Sequence, residues 1–218
     1  MKVLVTGASG MVGQGVLREC LLAPDVAEVV ALVRGPTGAS HPKLREFVVA
    51  DFGALDPAAP ELHGLNACFY CAGVSSFRMS EADYARVTYD LTLSVATLLA
   101  RLNPGLTLTY VSGAGTDSTE RGPTMWARVK GRTENALLRL PCPAFMFRPG
   151  FIRPVDGIVS KTALYRVIYA VLTPLMPLIE RIAPRAVTTT RQVGRAMLAV
   201  ARRGAAKPIL EVADINAF

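Results

Sequence analysis

The sequence has few of the residues that metal and redox chemistry need. It contains two histidines and four cysteines among 218 residues, and we expect no metal site from so small a supply of ligands. Cys68 and Cys71 form one C-x-x-C pattern, which would also suit a redox pair or a zinc site. They lie in the apolar run 67–72, however, and residues three apart on a strand point to opposite faces. We therefore expect buried free cysteines.

Long apolar runs and clusters of charge are also missing. No stretch approaches the roughly 18 unbroken apolar residues of a membrane-spanning helix. The apolar segment after Lys2 is too short for a signal-peptide core, so the expected location is the cytoplasm. Charged residues make up 19% of the chain, and the net charge of +7 is spread along it. Such a surface favours anionic ligands such as phosphates, and without a recognised motif it predicts no nucleic-acid partner.

What the sequence does have is a glycine-rich turn close to its start. The apolar run Val3–Val5 precedes the turn, and apolar residues at helical spacing follow from Val12, which predicts a strand that passes directly into a helix. Glycines at this junction let a pyrophosphate approach the unpaired N–H groups of the helix start. The spacing G-x-x-G-x-x-G is a variant of the dinucleotide pattern G-x-G-x-x-G, and the alternative is an ordinary turn without a ligand. The predicted phosphate-binding residues are Gly7, Ser9, Gly10, Met11, Val12 and Gly13.

Strand-like and helix-like segments then alternate along the chain. The further predicted strands are 28–33, 47–50, 67–73, 106–111, 144–147 and 209–212. The further predicted helices are 80–102, with Ser80 and Asp83 as a capping box, 123–140, and one after Thr189, with Gln192 in capping-box position. The expected buried face of the first of these is Tyr84, Val87, Leu91, Val95, Leu98 and Leu102. Residues 55–65 support at most a weak helix. Repeated strand–helix units with apolar strands predict an α/β protein with a doubly wound parallel sheet, the Rossmann fold.

Residues that follow the predicted strands indicate which dinucleotide would bind, because ligands of such sheets lie over the carboxyl ends of the strands. An NAD site usually has an acid about 20 residues after the glycine turn, which binds the ribose hydroxyls. Here Arg34 follows the second strand. An arginine suits the 2′-phosphate of NADP, so NADP is expected in preference to NAD, and an exposed turn arginine is the alternative. The contacts to adenine, ribose and pyrophosphate are expected from Asp51, Phe52, Cys71, Ala72 and Gly73.

Together these segments resemble the short-chain dehydrogenase/reductase superfamily, and within it the atypical and extended, epimerase-like branches. The segments that carry the resemblance are 6–13, Asp51, 71–73, Ser112, Lys130 and 148–150. Residues 87–90, followed by 129–131 and Glu134, are similar to the small atypical group that includes the Tat-interacting oxidoreductase. The resemblance covers about residues 1–150 and implies an NAD(P)-dependent oxidoreductase. It also places four further residues at the cofactor: Lys130, Arg148, Pro149 and Gly150.

The superfamily works with a serine and a Tyr-x-x-x-Lys set, which this sequence matches only in part. The resemblance implies that Ser112 positions the substrate carbonyl and that Lys130 holds the nicotinamide ribose. Trp126 stands where the family has its tyrosine, and an indole N–H cannot act as an acid or base near neutral pH. Either the enzyme has another proton source, such as Asp117, Tyr89 or water relayed by Ser112, or it is a catalytically silent NADP-binding regulator or scaffold.

Beyond residue 150 the alternation weakens. Residues 161–182 combine apolar residues at helical spacing with several prolines, which predicts broken helices. We expect one domain over 1–218, in which 151–188 forms a small helical cap on the substrate side. A homodimer contact or a membrane-surface patch, without stable membrane insertion, are the alternatives. The residues expected to line an apolar pocket for a small-molecule substrate are Tyr165, Leu172 and Met176.

Overall fold

Strands and helices alternate along the chain in the computed structural model, which describes residues 1–158 and 186–218. The strands are β1 (Lys2–Thr6), β2 (Glu28–Val33), β3 (Leu44–Val48), β4 (Ala67–Tyr70), β5 (Thr107–Val111), β6 (Ala144–Arg148), β7 (Phe151–Arg153), β8 (Val187–Thr189) and β9 (Ile209–Glu211). The helices are α1 (Met11–Leu22), α2 (Glu81–Ala85), α3 (Leu91–Leu102), α4 (Met125–Leu137), α5 (Thr190–Arg203) and α6 (Val212–Asn216). A π-helical turn, Arg86–Asp90, joins α2 to α3.

Seven of these strands form one sheet in the order β3-β2-β1-β4-β5-β6-β9. Every pair in it is parallel, so the prediction of a doubly wound parallel sheet is confirmed. The chain builds outward from β1 to β3 and then returns to place β4 on the other side of β1. The carboxyl ends of β1 and β4 therefore diverge into loops of opposite direction, and such a switch point is where open α/β sheets bind ligands.

Apolar side chains on both faces of the sheet form two cores. Val3 and Val5 of β1 pack toward the layer of α1 and α5, whereas Leu4 packs toward the layer of α3 and α4. This alternation follows from the two-residue period of a strand. Because all three side chains are fully buried, each contributes roughly 1.5–3 kcal/mol of transfer free energy. Packing on both faces holds the strands in place, and with them the edge of the sheet at which the loops between strands and helices meet.

The predicted N-cap bonds are confirmed, whereas the reciprocal bonds of the two capping boxes are not formed: the Asp83 carboxylate accepts the Ser80 hydroxyl at 2.7 Å, and the Gln192 amide donates to the carbonyl of Ile215 at 3.0 Å. The Ser80 hydroxyl oxygen accepts a hydrogen bond from the N–H of Asp83 at 3.1 Å, and the Thr189 hydroxyl oxygen accepts one from the N–H of Gln192 at 3.0 Å. Both bonds satisfy backbone donors that the first turn of a helix leaves free. They explain why α2 and α5 begin where the sequence predicts.

Several element boundaries differ from the predictions. β3 is Leu44–Val48 rather than 47–50, because this edge strand carries polar residues that hide its start. The segment 55–65 holds a 3₁₀ turn at Pro60–Leu62 and no α-helix, since prolines interrupt it. The pair β7–β8 and the helix α6 were not predicted, because each is too short to show a period.

The segments α2, the π turn and α3 follow one another without a break and form one long helix. The buried face of this long helix also differs from the prediction. The π turn closes wider hydrogen-bonded rings and so adds a residue to one helical turn, which rotates the face before it relative to the face after it. Tyr84 and Val95 are buried as predicted. Val87, predicted to be buried, is 37% exposed, and Thr88 is buried instead.

The expected cap and its pocket fall largely on residues that the structure does not describe. Tyr165, Leu172 and Met176 belong to 159–185, which lie outside the described ranges. The substrate cap, the pocket and its alternatives therefore stay predictions. In the described part of the chain, no helix combines the length and the apolar character that crossing a membrane requires.

Candidate cofactor site

A cleft of about 550 Å³ lies at the carboxyl ends of β1, β2 and β4. Four loops and the π turn form its walls, as the sheet order requires. Many of the residues predicted to bind the cofactor line it: Gly7, Ser9, Gly10, Arg34, Asp51, Phe52, Cys71, Ala72 and Gly73. The structure therefore brings together residues from separate strand–helix units at the switch point of the sheet.

The glycine turn shapes the floor of this cleft. Gly7 has a φ of +67°, and a Cβ on it would lie 2.6 Å from the backbone nitrogen of Ala72. Only glycine allows this backbone conformation and this approach without strain. The Thr6 hydroxyl oxygen accepts the N–H of Ala72 at 3.1 Å, which ties the turn to the end of β4. The two loops are thereby held side by side.

The start of α1 fits an anionic group. Gly10 is the N-cap residue and offers no side-chain hydrogen bond, and the first turn contains no acid. The N–H groups and the positive end of the helix dipole are thus left for a ligand, as at other phosphate sites. Met11, Val12 and Gly13 do not line the cleft but form this first turn. Gly13 allows close packing, because a Cβ there would lie 2.0 Å from the carbonyl oxygen of Gly7.

Arg34 is an exposed cation at the mouth of the cleft. It follows β2, and it makes no hydrogen bond or ion pair with any residue that the structure describes. Asp51 is the one acid among the described residues of the cleft wall, and its carboxylate accepts the N–H of Gly53 at 2.8 Å. Glu46 lies nearby but accepts the N–H of Thr37 at 3.1 Å. Among the described residues, no acid therefore takes the place at the end of β2 that the ribose hydroxyls of NAD would need.

The two cysteines of the C-x-x-C pattern lie on opposite faces of the sheet. Cys68 is buried in the core beneath α3, whereas Cys71 packs toward α1 and lines the cleft. Burial raises the pKa of both thiols well above the usual range. Both are free, and the described residues contain no group of side chains arranged to bind a metal. The expectation of free cysteines is confirmed.

A second cluster lies beside the cleft, at the carboxyl end of β5. The Ser112 hydroxyl donates a hydrogen bond to the carboxylate of Glu134. Arg148 donates from Nε to the same carboxylate at 3.0 Å. The Lys130 ammonium donates to the backbone carbonyl of Ser112. Three predicted site residues thus meet, although they do not line the described cleft.

Sequence reasoning assigned no role to Glu134, which is at the centre of this cluster. Its side chain is fully buried. The available signal was its spacing, because a residue four positions after Lys130 lies on the same helix face. Hydrogen bonding to Glu134 raises the pKa of Arg148. Burial lowers the pKa of Lys130 to about 8, and the nearby Glu134 carboxylate opposes that change.

Trp126 and the alternative proton donors are placed less favourably. The Trp126 ring contacts the loop after β5, since a Cβ on Gly115 would lie 3.6 Å from its Cη2 atom. The Asp117 carboxylate accepts the N–H of Gly122 at 2.6 Å and a hydroxyl hydrogen bond from Thr119 at 2.6 Å. These bonds lower the pKa of Asp117, so it is ionised at neutral pH and unsuited to donate a proton.

Tyr89, the other candidate donor, is covered by a cation. The guanidinium carbon of Arg132 lies 4.0 Å from the centre of its ring.

Pro149 and Gly150, which the resemblance places at the cofactor, do not line the described cleft. The Pro149 carbonyl accepts the N–H of Ala114 at 2.9 Å, which supports the loop after β5.

Comparison with known proteins agrees with this fold. A parallel sheet with a glycine turn and a free helix start at its switch point defines a dinucleotide-binding α/β protein. The model of the NAD dependent epimerase/dehydratase family matches residues 3–122. The chain belongs to this family. The match ends before Trp126 and Lys130, and no curated protein matches the chain significantly.

Solved structures with the same fold are distant in sequence. MoeE5, solved in complex with UDP-glucose and NAD, is 17% identical with a TM-score of 0.71, over 99% of this chain and 79% of its own. The PhqB reductase domain from Penicillium fellutanum is 19% identical with a TM-score of 0.69, over 98% and 67%. UDP-glucuronic acid 4-epimerase from Bacillus cereus, solved with NAD, is 15% identical with a TM-score of 0.68, over 100% and 81%. At such identities these structures support the fold alone.

Proposed function

We propose that the protein is an NADP-dependent oxidoreductase of the atypical short-chain dehydrogenase type. Family membership supports a nicotinamide dinucleotide as the cofactor, and the observation that carries the choice of NADP is Arg34. No residue that the structure describes pairs with this cation, which stands at the end of β2, where an NAD site needs an acid. The substrate of the protein would be a small apolar carbonyl or alcohol, because the exposed side chains that line the cleft include Val74 and Val87.

The described residues suit each part of such a cofactor. The N–H groups at the start of α1 would bind the pyrophosphate, and Arg34 would bind the 2′-phosphate as a charge-assisted pair. Asp51 and Phe52 would border the adenine. When bound, a nicotinamide dinucleotide supplies hydride transfer. Lys130 belongs to α4, and its ammonium reaches the carboxyl end of β5. It would lie on the side of the nicotinamide ribose.

Removing the Arg34 charge tests the choice of cofactor. We expect the unmutated protein to bind NADPH more tightly than NADH, and Arg34→Ala to remove most of that difference. A charge-assisted phosphate contact is worth roughly 1.5–3 kcal/mol, or about ten- to a hundredfold in affinity. Titration with each reduced cofactor, followed by fluorescence or calorimetry, measures both values. Arg139→Ala, which removes an exposed arginine in the turn after α4, is the control and should change neither affinity. Equal affinities of the unmutated protein for NADPH and NADH would contradict the proposal.

A second candidate function is a silent NADP-binding regulator or scaffold. Two observations favour it: Trp126 carries no transferable proton, and the Ser112 hydroxyl is already bonded to Glu134. A silent binder would bind NADPH but oxidise it only at the background rate.

Trp126→Tyr distinguishes the two candidates. The change places a phenol one helical turn from Lys130, whose positive charge would favour the phenolate. If the protein is a silent binder with a competent pocket, the variant should gain NADPH oxidation over a panel of aldehydes, ketones and quinones. Trp126→Phe, which restores no proton, is the matched control. Strong activity of the unmutated protein on the same panel would rule out the silent binder.

A further inference from the structure

Reduction of a carbonyl requires a proton for its oxygen, and neither Trp126 nor the Ser112 hydroxyl can supply one. Trp126 holds the position of the family's tyrosine, and its indole does not ionise near neutral pH. The single hydroxyl proton of Ser112 is directed at the buried Glu134 carboxylate. The Trp126 indole is therefore excluded by its chemistry, and the Ser112 hydroxyl by its geometry.

Among the residues that the structure describes, the tyrosines and the acid near the site are also excluded. The Asp117 carboxylate is bonded to its own loop, and Tyr89 lies beneath the Arg132 guanidinium. Tyr70 and Tyr110 are buried in the core, where burial raises the pKa of Tyr70 to about 12 and that of Tyr110 well above its usual value.

Lys130 remains, and its position suits proton transfer. It lies on α4 one turn after Trp126, and its ammonium donates to the backbone carbonyl of Ser112, at the carboxyl end of β5. Its side chain is only partly buried, in contrast to the fully buried Glu134. The ammonium thus lies at the carboxyl end of β5, on the same edge of the sheet as the cofactor cleft.

The charges around Lys130 leave it able to release a proton. Glu134, on the same helix, is bonded to Arg148 of β6, so its negative charge is largely compensated. From the long helix packed against α4, Glu81 pairs with one arginine of α4 and Tyr89 stacks with another. β5 presents a neutral carbonyl. Burial therefore dominates, and it lowers the pKa of the ammonium to about 8.

We propose that Lys130 is the proton donor of this enzyme and takes over the role of the missing tyrosine. The inference rests on the oxidoreductase function proposed above. The carbonyl carbon of the substrate accepts a hydride, with its electron pair, from the reduced dinucleotide. The N–H bond of the Lys130 ammonium breaks as an O–H bond forms on the substrate oxygen. The products are an alcohol, the oxidised dinucleotide and a neutral amine, which takes a proton back from solvent.

The protonation state of Lys130 sets the expected dependence on pH. Reduction needs the ammonium, so kcat for reduction should fall about tenfold per pH unit above a pKa of about 8. Oxidation of the alcohol needs the neutral amine, so its kcat should rise with pH over the same range. A lysine that only holds the ribose would not give these opposite slopes.

Lys130→Arg separates proton transfer from cofactor binding. Arginine keeps the positive charge but does not release a proton at these pH values. We expect its NADPH affinity to stay within about threefold, while kcat for reduction falls by about 10²–10⁴-fold, the usual contribution of a general acid. Lys207→Arg, at an exposed ion pair with Asp214, should leave both unchanged. Circular dichroism confirms that each variant folds, and Lys130→Met serves if the arginine is not accommodated.

Trp126 provides a readout that does not require turnover. It is the only tryptophan in the sequence, and it is one helical turn from Lys130, so its fluorescence should change with pH near 8 in the unmutated protein and not in Lys130→Met. Failure to bind NADPH would overturn the proposed function and this inference together. Binding without reduction would favour the silent regulator and would overturn both the oxidoreductase function and this inference. Lys130→Arg with activity within about threefold of the unmutated protein would overturn the inference while the oxidoreductase function stands.

Discussion

Glu134 is an anion with no access to solvent, and its two hydrogen-bond partners among the described residues come from separate parts of the chain. Its carboxylate accepts from Ser112 after β5 and from Arg148 at the end of β6. The Arg148 side chain is 12% exposed and also donates to Ser118 at 2.6 Å. One carboxylate thus joins α4 to two strands of the sheet, and its removal would leave the Arg148 guanidinium with only the exposed Glu211 carboxylate, at 3.4 Å, as a counter-charge among the described residues.

We expect Glu134→Ala to lower the free energy of unfolding by about 3–5 kcal/mol, the usual cost of removing one partner of a buried ion pair. Urea unfolding followed by circular dichroism measures it. Glu81→Ala is the matched control, because Glu81 pairs with Arg128 at 2.7 Å on the surface and should cost less than about 1 kcal/mol. Equal losses at the two sites would show that burial adds nothing to the Glu134 pair.

Single residues differ in how far the sequence exposes their roles. The positions of Gly7 and Arg34 at the cleft could be predicted, because each depends on its distance from a neighbouring strand within one strand–helix unit. Glu134 could not, since its partner Arg148 belongs to a different unit and an acid on a helix is normally solvated. The family resemblance places the Ser112 hydroxyl at the substrate. Nothing near Ser112 in the sequence indicates that its hydroxyl is bonded to Glu134.

At the scale of elements, α1 and α5 pack closely because glycines face each other. A Cβ on Gly15 would lie 2.6 Å from the carbonyl oxygen of Thr190, and one on Gly194 would lie 3.0 Å from the carbonyl oxygen of Gly15. Such contacts allow two helix backbones to approach more closely than larger side chains permit. The layer of α1 and α5 therefore depends on small residues as well as on apolar ones.

Gly15→Ala should separate these helices. Overpacking costs about 1–3 kcal/mol, and the better helix propensity of alanine recovers at most about 1 kcal/mol, so we expect a net loss of stability in thermal unfolding. Gly35→Ala is the control, since a Cβ there meets nothing within 4 Å. It should leave stability unchanged or raise it slightly through the unfolded chain. A stabilised Gly15→Ala variant would show that the helices have room to adjust.

The long helix shows where prediction from periodicity stops at this scale. Its start at Ser80 and its end near Asn103 follow from capping and from a proline, both local signals. The π turn has no such signal, and a constant period of 3.6 residues carried through it assigns Val87 to the wrong face. Its exposure is useful at the site, because Val87 then lines the cleft.

For the whole molecule, the apolar strands were sufficient to predict a parallel sheet with helices on both faces. Runs such as Glu28–Val33, recovered with the observed bounds, are typical of strands that are covered on both sides. The pair β7–β8 was not predictable. Its three-residue strands are distant in sequence, and their pairing depends on chain folding that no local pattern encodes.

That pair has a consequence for how the chain can vary. Phe151 pairs with Val187 and Arg153 with Thr189 in parallel, and the N–H of Phe151 donates to the carbonyl of Ala186 at 2.9 Å. Strand pairing therefore holds the two ends of the intervening segment next to each other. A longer segment adds only about 0.6 kcal/mol of closure entropy per doubling of its length. Evolution can thus exchange or resize this segment while leaving the dinucleotide half of the molecule intact.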